Sequence, residues 1–441
     1  MRVKNAFVSI SIRGDVWQID FNTLWTESYS PVGLYYGFTN SQDHIFRIGA
    51  TVEKKNKYRY FIQPIGKDGK AYKAKVIGSY EKLKRNEVPY VEALVSPDST
   101  KYVFLNIRDS DRDKEKFHFA INVYDNQLNK LYKRQFNFGQ FENQMDIVSA
   151  DVNNQGSVFI VTKEFLTDGT LDDYKIKVYM VKSDDPNVQQ IDFERAAKYI
   201  TYVKIAAVED GQVAAMGIYK NKMKDKPQGY HYMLIDTLGE TVVNTKQIFP
   251  RVKKQYFSHG SSVTSISEPI LTSEGQVIVT LEDNYFGGVT MSTGLGITKN
   301  NRDHVSKNIL VTSLSSSGKL KSLINLPKNQ VNSNKLFNSH EKIYLPDSGF
   351  YFFYNDKASN IDLSADEQAE QLLPIDKSSL VCSFINEAGE IKKLQLLSEK
   401  QTGTILVPGS LTKLTSRTYA FLTAPENPGL NFFRLGSVRI K

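Results

Sequence analysis

The sequence is poor in cysteine, tryptophan and histidine, with one, two and six of them in 441 residues. A single cysteine, Cys382, forms no intramolecular disulfide and no cysteine-based metal cluster, and its place inside a predicted strand indicates a role in core packing. The histidines show neither an HxH nor an HExxH spacing, so we predict no metal site. They are His44, His118, His231, His259, His304 and His340.

Long apolar runs are also missing. No stretch of about 18 apolar residues occurs, which predicts that the chain has no transmembrane span. Residues 1–14 lack a continuous apolar segment with a small-residue cleavage site. We therefore expect a periplasmic or cell-surface protein if a signal peptide has been removed, and a cytoplasmic one otherwise. The net charge of +8 is compatible with an acidic partner, but it serves solubility equally well.

The common motifs of catalysis and cofactor binding are absent as well. No G-x-S-x-G nucleophile elbow occurs, and Gly294-Leu295-Gly296 lacks the Lys-Ser/Thr that ends a phosphate-binding loop. Carboxylate pairs for glycoside hydrolysis cannot be singled out by spacing. We predict no catalytic residue, no cofactor-binding residue and no cofactor. A site assembled from one residue per repeat would leave no trace in the spacing.

What the chain does contain is a repeated unit, clearest in residues 90–138. The unit reads as four strands, which we call a, b, c and d. Strand a ends in the turn Ser96-Pro97-Asp98-Ser99, where proline presets φ and aspartate and serine hydrogen-bond the turn. Strand b is rich in aromatic and β-branched residues, and strand c alternates large apolar with small or polar residues. The four strands are residues 91–96, 101–107, 117–124 and 128–138.

The same order of strands and turns recurs along the chain. A four-stranded repeat of about 50 to 70 residues is typical of a β-propeller blade, because one small sheet cannot bury both of its faces alone. We predict an all-β fold in which residues 1–441 form a single β-propeller domain, with seven blades favoured. The alternatives are six blades with an N-terminal extension, or a series of β-sandwich domains. The seven predicted blades are residues 33–80, 89–138, 143–195, 199–249, 262–330, 337–399 and 403–441, the last completed by residues 5–12.

The last repeat supplies only three strands of its own. We predict that residues 6–12 pair with residues 431–440, supply the fourth strand and close the ring. This pairing would satisfy the hydrogen-bonding groups of two exposed sheet edges.

The loops between strands b and c are long, while the other turns are tight. They lengthen along the chain and culminate in residues 284–302 and 356–377. Long loops cost little stability and often carry function. We therefore predict that the face formed by the b–c loops is the working face of the molecule.

The two longest b–c loops have different compositions. Residues 284–302 are glycine-rich and read either as a contact loop that exposes Tyr285, Phe286 and Met291 or as a flexible insertion. In the second loop, Ser364 and Glu367 form a capping-box pattern, which predicts a short helix over residues 365–373 that ends before Pro374.

A link between blades on the same face combines basic and aromatic residues, a pattern that can bind an anionic polymer. The alternative is a loop whose aromatic side chains pack on the neighbouring blade. We do not expect nucleic acid to be the partner. With Tyr285, Phe286 and Met291, this link completes the predicted partner-binding set: Arg251, Lys253, Lys254, Tyr256 and Phe257.

Residues 95–104, VSPDSTKYVF, resemble the repeat of TolB-type bacterial propellers, in which a Ser-Pro-Asp turn precedes an apolar strand. Ser273-Glu274-Gly275 and Pro346-Asp347-Ser348-Gly349 are weaker copies of this turn. The resemblance covers the blade pattern along most of the chain and is close in one repeat. It implies a propeller that serves as a periplasmic or surface-associated protein-binding scaffold. The long b–c loops, and the lack of a detectable N-terminal partner domain, depart from that family.

The leading hypothesis is a non-catalytic protein-binding or scaffolding propeller of a bacterial envelope or surface complex that acts through its b–c loops. The alternative is a carbohydrate-binding or carbohydrate-active enzyme, a lyase or hydrolase, with a site at the mouth of the central channel. A third hypothesis, binding of an acidic polysaccharide, predicts an affinity that falls with salt. The fold alone does not decide between them.

Overall fold

The fold was analysed in a computed structural model of the chain. The residues that it describes are 7–12, 17–28, 33–40, 45–54, 57–65, 72–81, 91–106, 116–141, 145–165, 174–185, 187–193, 199–208, 210–222, 225–249, 263–272, 274–292, 298–332, 338–372, 378–386, 389–398, 404–408, 410–413, 417–425 and 432–440.

Strands make up nearly all of the regular structure in these residues. A short 3-10 helix, Ala358–Asn360, is the exception, and no described helix has the length and apolar character to cross a membrane. The strands are β1 (Phe7–Ile12), β2 (Trp17–Ser28), β3 (Gly33–Asn40), β4 (Ile45–Lys54), β5 (Lys57–Ile65), β6 (Lys75–Glu81), β7 (Val91–Val95), β8 (Lys101–Asn106), β9 (Lys116–Asp125), β10 (Lys130–Phe141), β11 (Met145–Val152), β12 (Val158–Phe165), β13 (Tyr174–Val181), β14 (Val188–Asp192), β15 (Tyr199–Ala207), β16 (Val213–Lys220), β17 (Gly229–Ile235), β18 (Thr241–Ile248), β19 (Val263–Ile266), β20 (Ile270–Leu271), β21 (Val277–Ser292), β22 (Thr298–Leu314), β23 (Leu320–Asn332), β24 (Glu341–Leu345), β25 (Gly349–Asp356), β26 (Ser379–Ile385), β27 (Ile391–Leu397), β28 (Thr404–Leu406), β29 (Thr412–Lys413), β30 (Thr418–Pro425) and β31 (Phe432–Ile440).

Within the described part of the chain these strands form seven antiparallel sheets, six of which use consecutive strands. We number them in chain order: sheet I (β3–β6), sheet II (β7–β10), sheet III (β11–β14), sheet IV (β15–β18), sheet V (β19–β23), sheet VI (β24–β27) and sheet VII (β28–β31 with β1 and β2). Successive four-stranded antiparallel meanders are the blades of a β-propeller fold. The predicted all-β fold of four-stranded blades is therefore confirmed.

The two ends of the chain meet in sheet VII, in a strand order that differs from the prediction. β2 pairs with β31 from Ile19↔Ile440 to Ser28↔Phe432, and β1 pairs with β2 instead of β31. The predicted pairing of residues 6–12 with residues 431–440 is thus wrong. The reason is length: β2 has 12 residues and covers the whole edge of β31, which leaves β1 on the outside. Closure into one ring stays a prediction.

The chain divides into two compact units by its internal contacts. One comprises residues 1–29, 224–228 and 249–441, and holds sheets V to VII. The other comprises residues 30–223 and 229–248, and holds sheets I to IV. The single domain over residues 1–441 remains a prediction.

The core of the second unit lies between consecutive sheets. In β12, Phe159 and Val161 pack with side chains of sheet IV, whereas Val158 and Ile160 pack with side chains of sheet II. Neighbouring residues of a strand point to opposite faces of the sheet. A strand of an inner blade is therefore apolar at successive positions, which explains the sequence VFIV at the start of β12.

The first unit is built in the same way. Phe352 and Tyr354 of β25 pack towards sheet V, while Tyr351 and Phe353 pack towards sheet VII. Cys382 belongs to the apolar cluster between sheets VI and VII and is buried, as its place inside a strand predicted. Burial raises the pKa of its thiol.

The turn Ser96-Pro97-Asp98-Ser99, which resembles the TolB-type repeat, forms the hydrogen bonds that its sequence predicts. The Ser96 hydroxyl donates to Asp98 Oδ1 over 2.6 Å, and the same oxygen accepts from the Thr100 N–H over 3.0 Å. Ser99 takes the left-handed conformation, with φ 58°, and its N–H donates to the Ser96 carbonyl oxygen over 2.8 Å.

Polar side chains join consecutive sheets within a unit. Asp151 Oδ2 on β11 accepts from the Ala207 N–H on β15 over 2.7 Å. Asn355, at the end of β25, is bidentate: its Nδ2 donates to the Leu406 carbonyl oxygen over 2.9 Å, and its Oδ1 accepts from the Leu406 N–H over 3.1 Å. Asn355 thus satisfies a buried backbone pair that β28 cannot satisfy by itself.

We predict that Asn355→Ala lowers the free energy of unfolding by about 2 kcal/mol, because two buried backbone groups of Leu406 lose their partners. Denaturant unfolding followed by circular dichroism measures this. Asn129→Ala is the control, since the Asn129 side chain binds Asp125 at an exposed turn and its loss should cost under about 1 kcal/mol. Equal effects of the two changes would contradict the assignment.

Candidate binding site

A long hairpin extends from sheet V beyond its neighbouring strands. β21 and β22 pair from Val277↔Leu314 to Ser292↔Thr298. On one side β19 follows β21 as far as Asn284, and on the other β23 follows β22 as far as His304. Residues 287–292 and 298–303, which we call the ribbon, are therefore paired with each other and with no third described strand.

The ribbon replaces the glycine-rich loop that the sequence predicted over residues 284–302. Glycine lowers the tendency of an isolated segment to form a strand. Here the register with β22 continues from Gly287↔Asp303 through Val289↔Asn301 to Ser292, so the partner strand supplies the hydrogen bonds that composition alone did not indicate. The loop interpretation is wrong, and residues 293–297 lie outside the described chain.

The structure brings three of the predicted partner-binding residues onto one strand. Tyr285, Phe286 and Met291 all belong to β21, and the Lys307 ammonium group lies 5.6 Å from the centroid of the Tyr285 ring. The other five, Arg251, Lys253, Lys254, Tyr256 and Phe257, fall outside the described residues. The role of all eight in partner binding stays a prediction.

A buried group of polar residues, which we call the polar seam, lies below the base of the ribbon; its centre is Glu282 on β21 and Lys328 on β23. Lys328 Nζ forms an ion pair with Glu282 Oε1, and it donates to Ser306 Oγ and Gln330 Oε1, each over 2.9 Å. The Lys328 side chain is 0% exposed and that of Glu282 1% exposed. All three donor positions of the ammonium group are therefore satisfied.

The seam also joins sheet V to the segment that leads into sheet VI. Ser339 Oγ donates to Glu282 Oε2 over 2.6 Å, and His340 Nδ1 lies 3.2 Å from Glu282 Oε1. Asn284 Nδ2 donates to Glu282 Oε2 over 3.3 Å. One step away, Asn338 Nδ2 donates to the His304 carbonyl oxygen over 2.7 Å. These contacts fix both strands of the hairpin where the ribbon begins.

The charges of the seam are set by their mutual attraction. Burial opposes ionisation of Glu282, but the attraction of Lys328 and His340 outweighs burial and holds the pKa of Glu282 well below its usual value. Burial lowers the pKa of Lys328, although Glu282 opposes this. The attraction within a buried ion pair that lacks other partners does not compensate for the desolvation of the two charges. Here both Lys328 and Glu282 also form hydrogen bonds with other side chains.

The order Thr280–His340–Glu282 has the hydroxyl–imidazole–carboxylate arrangement of a hydrolytic triad. Thr280 Oγ1 lies 3.1 Å from His340 Nε2, opposite the nitrogen that faces Glu282. Thr280 is only 1% exposed, so its hydroxyl cannot be reached by a substrate, and Glu282 already neutralises Lys328. The arrangement is therefore structural. Sequence spacing missed it because His340 is distant along the chain from Thr280 and Glu282.

The second long b–c loop was predicted over residues 356–377. Its residues 358–372, which we call the clasp, lie across the edge of β23. The Leu372 N–H donates to the Asn329 carbonyl oxygen over 2.8 Å, and the Val331 N–H donates to the Leu372 carbonyl oxygen over 3.3 Å. Gln330 and Leu372 thereby form an isolated parallel bridge. The clasp is an extended cover on a neighbouring blade.

The helix predicted over residues 365–373 is therefore wrong. The local capping contact does form, because the Ser364 N–H donates to Glu367 Oε2 over 2.6 Å and the Glu367 N–H donates to the Ser364 carbonyl oxygen over 3.2 Å. The chain leaves this turn without forming a helix, and the backbone of Leu372 hydrogen-bonds with Asn329 and Val331 on β23 instead. Within the described residues, no group of three or more His, Cys, Asp or Glu side chains could hold a metal ion.

Comparison with known proteins gives solved structures only, because no family model and no curated protein matches the chain. The β-propeller domain of the trilobed protease from Pyrococcus furiosus is 10% identical, covers 94% of this chain and 96% of that chain, and has a TM-score of 0.44. An acylaminoacyl peptidase from Pyrococcus horikoshii is 10% identical over 89% of this chain and 49% of that chain, with a TM-score of 0.43. A protein of unknown function from Dyadobacter fermentans is 9% identical over 80% and 94%, with a TM-score of 0.38.

None of these three structures is described as a TolB-type protein, and the TolB resemblance stays a prediction. The similarity scores are too low to carry an argument about function. The fold assignment rests on the sheets of this chain.

We predict that Lys328→Met lowers the free energy of unfolding by about 3 kcal/mol, because the buried Glu282 carboxylate loses its cation. Adding Glu282→Gln should recover a large part of this loss, since a neutral amide needs no counter-charge. A double-mutant cycle from denaturant unfolding measures the coupling. Lys357→Met is the control: its ion pair with Glu370 is exposed, and its loss should cost under about 1 kcal/mol. Additive effects of the two seam changes would contradict the assignment.

Proposed function

We propose that this chain is a non-catalytic protein-binding or scaffolding propeller whose contact element is the ribbon. The observation that carries this proposal is the hairpin of sheet V, in which six residue pairs, Gly287↔Asp303 to Ser292↔Thr298, lie beyond the reach of β19 and β23. A two-stranded hairpin alone is marginally stable in water. A partner that adds a strand or covers one face would stabilise it.

The ribbon has the chemistry for such a contact. A strand edge offers N–H and C=O groups that can pair with an extended segment of another protein. The β21 strand of the ribbon carries no charged residue from Gly287 to Ser292, whereas the β22 strand contributes Lys299, Arg302 and Asp303. The neutral strand suits an apolar contact, and the charged strand suits selection among partners.

The base of the ribbon supports the same function. Asn338 and the polar seam hold both strands of the hairpin where the ribbon starts, so a partner needs to stabilise only the residues beyond. A bacterial envelope or surface complex is the setting that the TolB resemblance implies, and it is part of this proposal. The enzymatic alternative gains nothing from Thr280, whose hydroxyl is buried.

The proposal predicts that removal of the ribbon abolishes partner capture and leaves the blades intact. Residues 289–301 are replaced by Asn-Gly, which joins the paired residues Gly288 and Arg302 through a two-residue hairpin turn. Intact and shortened proteins are used to capture partners from envelope extracts of the native organism. We expect a stoichiometric protein partner with the first and none with the second, at an unchanged unfolding midpoint.

Ser316→Asn is the control, because Ser316 is exposed in the turn that follows β22, at the end of the strand opposite the ribbon; this variant should retain the partner. Capture of the same partner by the shortened protein would overturn the role of the ribbon. Absence of any partner with the intact protein would overturn the scaffold function itself.

A further inference from the structure

Asp356, the last residue of β25, is a buried carboxylate held by amides alone. It is 1% exposed. Its Oδ1 accepts from the Lys357 N–H over 2.8 Å and from Asn360 Nδ2 over 2.8 Å. The nearby lysines are engaged elsewhere: Lys328 with Glu282, and Lys393 with the carbonyl oxygens of Asn360 and Leu363, over 3.3 and 3.0 Å. Among the described residues, a negative charge on Asp356 therefore has no direct ionic partner.

Asn360 connects this carboxylate to the far part of the clasp. Its Nδ2 donates to the Glu370 carbonyl oxygen over 2.9 Å, and its Oδ1 accepts from the Glu370 N–H over 2.8 Å. Two residues later Leu372, which is buried, pairs with β23. Asp356, Asn360, Glu370 and Leu372 thus form one chain of contacts from β25 to the edge of β23.

The surroundings of Asp356 favour its neutral form. Burial raises the pKa of Asp356 to about 6, although the bonds from Asn360 and Lys357 and the attraction of two lysines oppose this. Lys328 is itself neutralised by Glu282. The charged and titratable groups that face the carboxyl or the clasp are Lys328 and Glu282 on sheet V, Lys393 on β27, Tyr354 on the same strand, and Lys357, Asp362, Glu367 and Glu370 on the clasp.

We propose that the clasp is a pH-sensitive cover on the edge of β23, which is closed while the Asp356 carboxyl is protonated and loosens when it ionises. Opening admits water to the carboxylate, so the ionised form favours the open state. The contribution of a protonated Asp356 is complete below the pKa of an exposed aspartate, about 4, and is lost as the pH rises through about 6. Opening uncovers backbone groups of Asn329 and Val331, an edge that can accept an extended peptide. This cover is separate from the ribbon.

Hydrogen exchange at the Leu372 and Val331 amides tests the proposal on the intact chain, with each rate corrected for the intrinsic exchange rate at that pH. We expect the protection of both amides to fall roughly tenfold between about pH 5 and about pH 7, as linkage to one carboxyl with this shift requires. Asp356→Asn should abolish this dependence. The control Asp362→Asn removes an exposed clasp carboxylate and should leave it unchanged.

The profile of the unaltered protein decides the matter even if Asp356→Asn fails to fold. A protection that stays constant with pH overturns the proposal. The same fall in folded Asp356→Asn overturns the role of this carboxyl.

Discussion

Each inner sheet of this molecule has two apolar faces, and every other feature depends on the need to bury both. All eight residues of β16 and all eight of β25 are buried, which a single sheet with one solvated face could not achieve. Consecutive sheets within each unit solve the problem by packing face to face. The outer strands carry the exposed positions; β18, for example, has no buried residue.

This constraint also decides where polar chemistry can lie. The middle of an inner strand is flanked by apolar side chains on both faces, so a polar group there needs other buried polar groups as hydrogen-bonding partners. The polar seam does so within β21, where Glu282 binds Lys328 of sheet V together with Ser339 and His340 of the segment before sheet VI. Gln330 extends the network, since its Nε2 donates to the Asn355 carbonyl oxygen over 2.6 Å. One set of side chains thereby ties the base of the ribbon, the start of sheet VI and the end of β25 together.

The sequence predicts the blades well because they are encoded locally. Turns such as Ser96-Pro97-Asp98-Ser99 and strands such as β12 depend on neighbours only a few residues away. The features that it misses depend on distant partners. β2 is long enough to cover the edge of β31, so residues 6–12 pair with β2 instead. The ribbon forms because β22 continues in register with β21. The clasp forms backbone contacts with Asn329 and Val331 in place of the predicted helix. The seam joins residues from Thr280 to His340, which no spacing rule connects.

The central claim is that a rigid, buried base supports a ribbon that is completed by a partner. The most direct measurement is amide hydrogen exchange along β21 of the protein alone. We expect a step in protection along the strand. Val279 and Leu281, both fully buried, should be strongly protected, and residues from Val289 onwards, where in the described chain only β22 pairs with the strand, should be weakly protected. Uniformly strong protection to Ser292 would show that the ribbon is complete without a partner, and would contradict the account.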